Sequence, residues 1–156
     1  MNLQRRLNSI VAFLAWIVGA LLIVWLFIVA RNAILNVIDA FYVGESVWRA
    51  RQLDVFDKFY ALIGSAVGVF LIGAGGAYFR QAGNEPDTLR RVALILGPEL
   101  LVIASFHAIL LAFQAGSGGQ GQRFTYFGIE LTIGLTCLVY ALLARSKTHT
   151  EESSNS

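Results

Sequence analysis

Residues 10–30 read IVAFLAWIVGALLIVWLFIVA, a run without one charged side chain. A helix needs roughly 20 residues, at 1.5 Å each, to cross a bilayer's hydrocarbon core of about 30 Å. Residues 59–79, FYALIGSAVGVFLIGAGGAYF, repeat the pattern, again uncharged. Two further runs of this length lie at 92–113 and 124–144. The pattern predicts an all-α, polytopic membrane protein: four transmembrane helices in an antiparallel bundle, occupying residues 1–145, with a polar, disordered tail at 146–156. Little chain is left for a soluble domain.

Composition agrees. Hydrophobic residues make up 56% and charged residues 14%, against about 25% charged in a soluble domain; mean hydropathy is +0.64. The net charge of +2 and the scatter of Lys and Arg over helix ends and loops leave no basic stripe for nucleic acid. Cys137 is the single cysteine, so an internal disulfide is excluded. Arg5 and Arg6 before an apolar run imitate a signal peptide, but a secretory core is about 7–15 residues and this run is longer. The bilayer is therefore the first expected partner.

The first connection is not an ordinary loop. Ile34, Val37, Ile38 and Phe41 recur at helical spacing while Asn32, Asn36 and Asp39 take other faces. That pattern predicts an amphipathic interfacial segment within 32–58, or alternatively a straight extension of the first helix, since no proline or glycine separates Ala30 from Asn36. Residues 45–58 hold the densest charge, with aromatics interleaved; Trp48, Arg49 and Arg51 are candidate interface anchors, for headgroups or for a protein partner. In the second span Gly64 and Gly68 form a GxxxG pair, and Gly134 lies on a small-residue stripe of the fourth; these are the candidate helix-packing positions. The glycine-rich stretch 115–121 lacks both GxGxxG and GKS/T, which argues against a phosphate loop.

Three ionisable residues interrupt the later spans: Glu99 and His107 in the third, Glu130 in the fourth. A charge in hydrocarbon costs about 3 kcal/mol on insertion scales, so these are expected to face the bundle interior. His107 lies six residues before Phe113 and Glu130 six after Phe124, which puts both about 9 Å from the same end of antiparallel helices. They are a candidate hydrogen-bonded pair, and with Glu99, beside Pro98, a candidate intramembrane polar site. One histidine and two separated carboxylates do not give a metal-ligand spacing, and His149 is too remote to complete a bis-histidine haem. No cofactor, no metal and no catalytic constellation is expected.

Two functions follow as expectations. The first is a non-catalytic accessory or assembly subunit of a membrane complex, docking to other membrane subunits or to itself; the second is a small oligomeric transporter or proton-linked carrier using Glu99, His107 and Glu130. A membrane enzyme is the weakest reading. The bacterial plasma membrane is the expected location, with both termini cytoplasmic, because Arg5, Arg6, Arg80, Arg90, Arg91, Arg145 and Lys147 outnumber Arg31, Arg49, Arg51, Lys58 and Arg123 on the other side. Reporters fused after Ser156 and near Asn84 should therefore report the cytoplasm and one near Gly118 the exterior. An external C-terminus would reverse the orientation.

Overall fold

The computed structural model describes residues 3–41, 46–82, 87–113 and 120–154, with side chains placed over 3–41, 50–81, 87–113 and 121–144. Four helices carry them: α1 (Leu3–Phe41), α2 (Ser46–Ala82), α3 (Thr88–Phe113) and α4 (Gln120–Ser154). All four are long and apolar enough to cross a membrane. The chain is an all-α integral membrane protein.

The helices are not arranged as a closed square. α1 packs against α2 on one side and α3 on the other, α3 carries α4, and α2 only grazes α3. Among the described residues, α1 and α4 meet through side chains alone, with no close backbone approach. Consecutive helices run in opposite directions. Along α1, Trp16, Phe27 and Arg31 meet Ile72, Tyr60 and Asp57 of α2 in reverse order.

Small side chains set the α1 seam. Ala12, Ala15, Gly19 and Ile23 fall on one stripe that continues through Val29, Ala30 and Ala33, all buried. Val29 and Ala33 join Ile103 and Leu110 of α3 in the apolar core, with Leu22, Leu26, Phe106 and Ile109 packed around it. Where α3 crosses α4 the backbones themselves meet. A Cβ on Gly97 would lie 3.2 Å from the Gly134 carbonyl oxygen, and one on Gly134 would lie 3.2 Å from that of Gly97. A Cβ at either position would push the facing backbone back by a few tenths of an ångström, so glycine at both gives the closest approach.

The Gly64–Gly68 pair works differently. No backbone approaches it; the ring of Phe27 from α1 seats there instead, 3.1 Å from a Cβ at Gly64 and 3.2 Å from one at Gly68. Higher on the same interface Gly76 leaves the Ile72 carbonyl uncovered, and the Trp16 indole donates to it at 3.1 Å. Tyr60 donates to the Phe27 carbonyl at 3.1 Å. Arg31 closes the end of the interface with a two-pronged ion pair to Asp57, its Nη2 at 2.7 Å from Oδ2 and its Nε on Oδ1. Such fork-to-carboxylate contacts fix orientation as well as contributing energy.

The described parts of the connection between the first two spans, on either side of residues 42–45, are helix. α1 continues unbroken to Phe41 and α2 begins at Ser46. Residues 32–41 thus take the straight extension, with Phe41 against Phe113 of α3. The same continuity holds at the C-terminus. The polar stretch expected to be disordered from 146 onward is α-helical to Ser154. The physical reason is propagation: no glycine or proline stands between Ala144 and Ser154, and each added residue extends an existing ladder without a new nucleus. α3 likewise runs through Pro98 without interruption. The side chains of Trp48 and Arg49 lie outside the described set, as do residues 115–119; Arg51 is exposed.

Hydroxyls on the outer faces are satisfied locally. Ser65, Ser105, Thr125, Thr132 and Thr136 each donate to the carbonyl four residues earlier, at 2.6 to 2.9 Å. This keeps polar atoms paired where lipid offers no partner.

Gly68→Leu should overpack the seat of Phe27 and lower stability by about 1–3 kcal/mol. Val69→Leu, at a neighbouring outward position that is 73% exposed, should change little. Thermal unfolding of both variants in detergent checks this; equal tolerance would mean that Phe27 does not occupy the glycine seat.

Candidate functional site

The α1, α3 and α4 seam carries the main buried polar cluster. Its centre is Glu130 of α4, 8% exposed, and His107 of α3, 4% exposed. His107 Nδ1 and Glu130 Oε2 lie 2.6 Å apart and share a hydrogen. With Glu130 ionised the ring nitrogen donates; with Glu130 neutral the carboxyl does. The second carboxylate oxygen is also engaged, because Trp25 of α1 donates its indole N–H to Oε1 at 3.2 Å. One carboxylate thus ties three helices.

Three rings enclose this contact. Trp25, His107 and Tyr126 stand with centroids 6.1 to 6.3 Å apart, the Trp25–Tyr126 pair edge to face. The rings flank a carboxylate and an imidazole that are both buried, so each of the two is costly to leave without its partner.

Glu99 is elsewhere. It is half-buried, its Oε2 lacks a hydrogen-bond partner, and it faces α1, where a Cβ on Gly19 would lie 3.6 Å from that oxygen. His107 follows eight residues later, about 12 Å along the helix. The three ionisable residues of the spans therefore form a pair and a single, at two levels, and not one continuous site. Gly134 lies one turn beyond Glu130, at the α3–α4 crossing, which holds His107 and Glu130 at hydrogen-bonding distance.

A cavity of about 420 Å³ opens beside the pair, between the same three helices. Its walls are mixed: Arg123 and Tyr126 of α4, Asn32 and Asn36 of α1 and His107 supply polar groups beside Ile28, Val29 and Leu110. Arg123 keeps Nη1 buried without a hydrogen-bond partner. The residues that the sequence pattern does not single out are Trp25, Tyr126 and Arg123. Depth is the signal that could have found Trp25: it lies five residues before Ala30, near the level computed for His107 and Glu130. Tryptophan at that depth, however, ordinarily reads as a membrane-interface anchor. Among the described residues no three His, Cys, Asp or Glu side chains converge as a metal set would.

Comparison with known proteins adds no relative: no family model, no curated protein and no solved structure matches the chain.

Glu130→Gln and His107→Leu should each lower thermal stability, and the double variant should lose less than their sum. The coupling should fall near the range measured for buried polar pairs in membranes, about 0.6 to 1.7 kcal/mol. Trp25→Phe should couple to Glu130→Gln but not to Gly68→Leu. Strict additivity throughout would mean that the carboxylate is not shared.

Proposed function

We propose that this chain is a non-catalytic accessory or assembly subunit of a membrane complex, resident in a bacterial plasma membrane with both termini in the cytoplasm. Its bound partner is another membrane subunit, received on α2. One observation carries the reading. α2 is packed along a single edge, against α1, and its opposite face holds Gly73 and Ala77, one turn apart and both exposed. At 100° per residue they lie roughly opposite the Gly64–Gly68 seat. A Cβ at Gly73 would meet no atom within 4 Å. Small residues one turn apart let a second helix approach closely, whereas lipid contact has no need of them. Leu62, Val69 and Phe70, each over 70% exposed, flank this face and supply apolar area for a partner.

The polar cluster supports the same reading. Both oxygens of Glu130 are taken up by Trp25 and His107, an arrangement that holds helices in register. A second reading, a small proton-linked carrier, has one observation in its favour: the unpartnered Oε2 of Glu99 against α1. A carrier would need that acid to load and release a proton, and Glu99→Gln would abolish transport while leaving the fold intact.

Purification from native membranes in mild detergent tests the proposal. The wild-type chain should retain a stoichiometric membrane partner. Gly73→Leu should lose that partner while unfolding at the wild-type temperature, since the position touches nothing within the chain. A chain that elutes alone or as a homo-oligomer, or a partner retained by Gly73→Leu, would contradict the assembly role of this face.

A further inference from the structure

The cavity beside His107 has a polarity that the assembly reading does not use. Its walls carry a guanidinium, two carboxamides, a phenol and an imidazole, and no carboxylate. Glu130, the nearest acid on α4, sits two turns from Arg123 and has both oxygens engaged by Trp25 and His107. No carboxylate pairs with Arg123 among the described residues, and its Nη1 is buried without a partner. Arg123 as a whole is only partly buried, so its guanidinium spans from the cavity to the membrane surface with one buried N–H left to be satisfied. Tyr126 and Asn32 can donate further hydrogen bonds, as can the second amide hydrogen of Asn36, whose first goes to the Asn32 carbonyl at 2.7 Å. The volume of about 420 Å³ exceeds the roughly 30 Å³ share of one water many times over, so a small oxyanion fits.

We propose that this cavity is an anion site that binds a phosphate group, with Arg123 as the principal donor and Asn32, Asn36 and Tyr126 as supporting donors. Arginine suits the task because its planar fork presents two parallel N–H groups to two phosphate oxygens. The site lies at the end of the bundle where α4 begins, three residues into that helix, so it is open to the headgroup layer. The phosphate can come from a lipid headgroup or from solution; the chemistry at Arg123 is the same.

Delipidated protein in neutral detergent tests this by thermal unfolding. In one arm inorganic phosphate is titrated against chloride at matched ionic strength. In the other, micelles are doped with dioleoylphosphatidylglycerol or, as control, with dioleoylphosphatidylcholine, whose phosphate is balanced by its own cation. Stabilisation by phosphate and by phosphatidylglycerol identifies a site open to free anions; stabilisation by phosphatidylglycerol alone identifies a headgroup site. Arg123→Gln should weaken the apparent affinity by about tenfold or more, the loss of one charge-assisted contact. Asn36→Ala should weaken it less, and Lys58→Gln, which removes an exposed cation from the α1–α2 side, should leave it unchanged. Should Arg123→Gln not fold, Arg123→Lys, which keeps the charge but not the fork, should show an intermediate loss. No stabilisation in either arm, or an equal response from the Arg123 and Lys58 variants, overturns the proposal.

Discussion

A carboxylate inside hydrocarbon must be neutralised or fully bonded, and the α1, α3 and α4 seam is built around that requirement. Glu130 receives the Trp25 indole on one oxygen and the His107 ring on the other. Removing Glu130 or His107 leaves the other a buried polar group without its partner. The contact also recruits α1 to α4, which have no close backbone contact among the described residues. Without it the Trp25–Tyr126 ring contact would be left as the side-chain link described between α1 and α4.

The remaining interfaces use glycine in two physically distinct ways. At the α3–α4 crossing, Gly97 and Gly134 each stand 3.2 Å, measured from an added Cβ, from the other's carbonyl oxygen; this is backbone against backbone. Against α2, the missing side chains of Gly64 and Gly68 make room for an aromatic ring, and that of Gly76 for an indole donor. The first use sets the lateral distance between α3 and α4, across which His107 reaches Glu130 at the same depth. The second fixes the rotation of α2 about its axis, which turns Gly73 and Ala77 outward. The bidentate Arg31–Asp57 pair closes the same interface where the apolar runs end.

Much of the fold is legible in the sequence because lipid imposes a length on each apolar run. The contact between His107 and Glu130 follows from the same arithmetic: equal offsets from the shared end of antiparallel helices give equal depth. Azimuth is less legible. Glu99 shares a helix with His107, and eight residues of spacing put it about 12 Å away along the axis; that it faces α1 is what the spacing does not show. Trp25 is hidden by its type, since tryptophan near a span end fits a headgroup anchor equally well. GxxxG at Gly64 and Gly68 announces close packing but does not say that a phenyl ring, and not a helix backbone, fills the groove. The continuation of α1 to Phe41 and α4 to Ser154 escapes a hydropathy reading because helix propagation does not depend on hydropathy.

The central claim is that one carboxylate, Glu130, binds α1 and α3 to α4. It is tested most directly by the indole N–H resonances of the three tryptophans in bilayer nanodiscs, measured with and without Glu130→Gln. The account predicts that the Trp25 indole proton exchanges slowly with water in the wild type, and that it shifts and exchanges faster in the variant. The Trp16 proton, bonded to the Ile72 carbonyl, should stay where it is. A Trp25 indole signal unaffected by the substitution would contradict the claim.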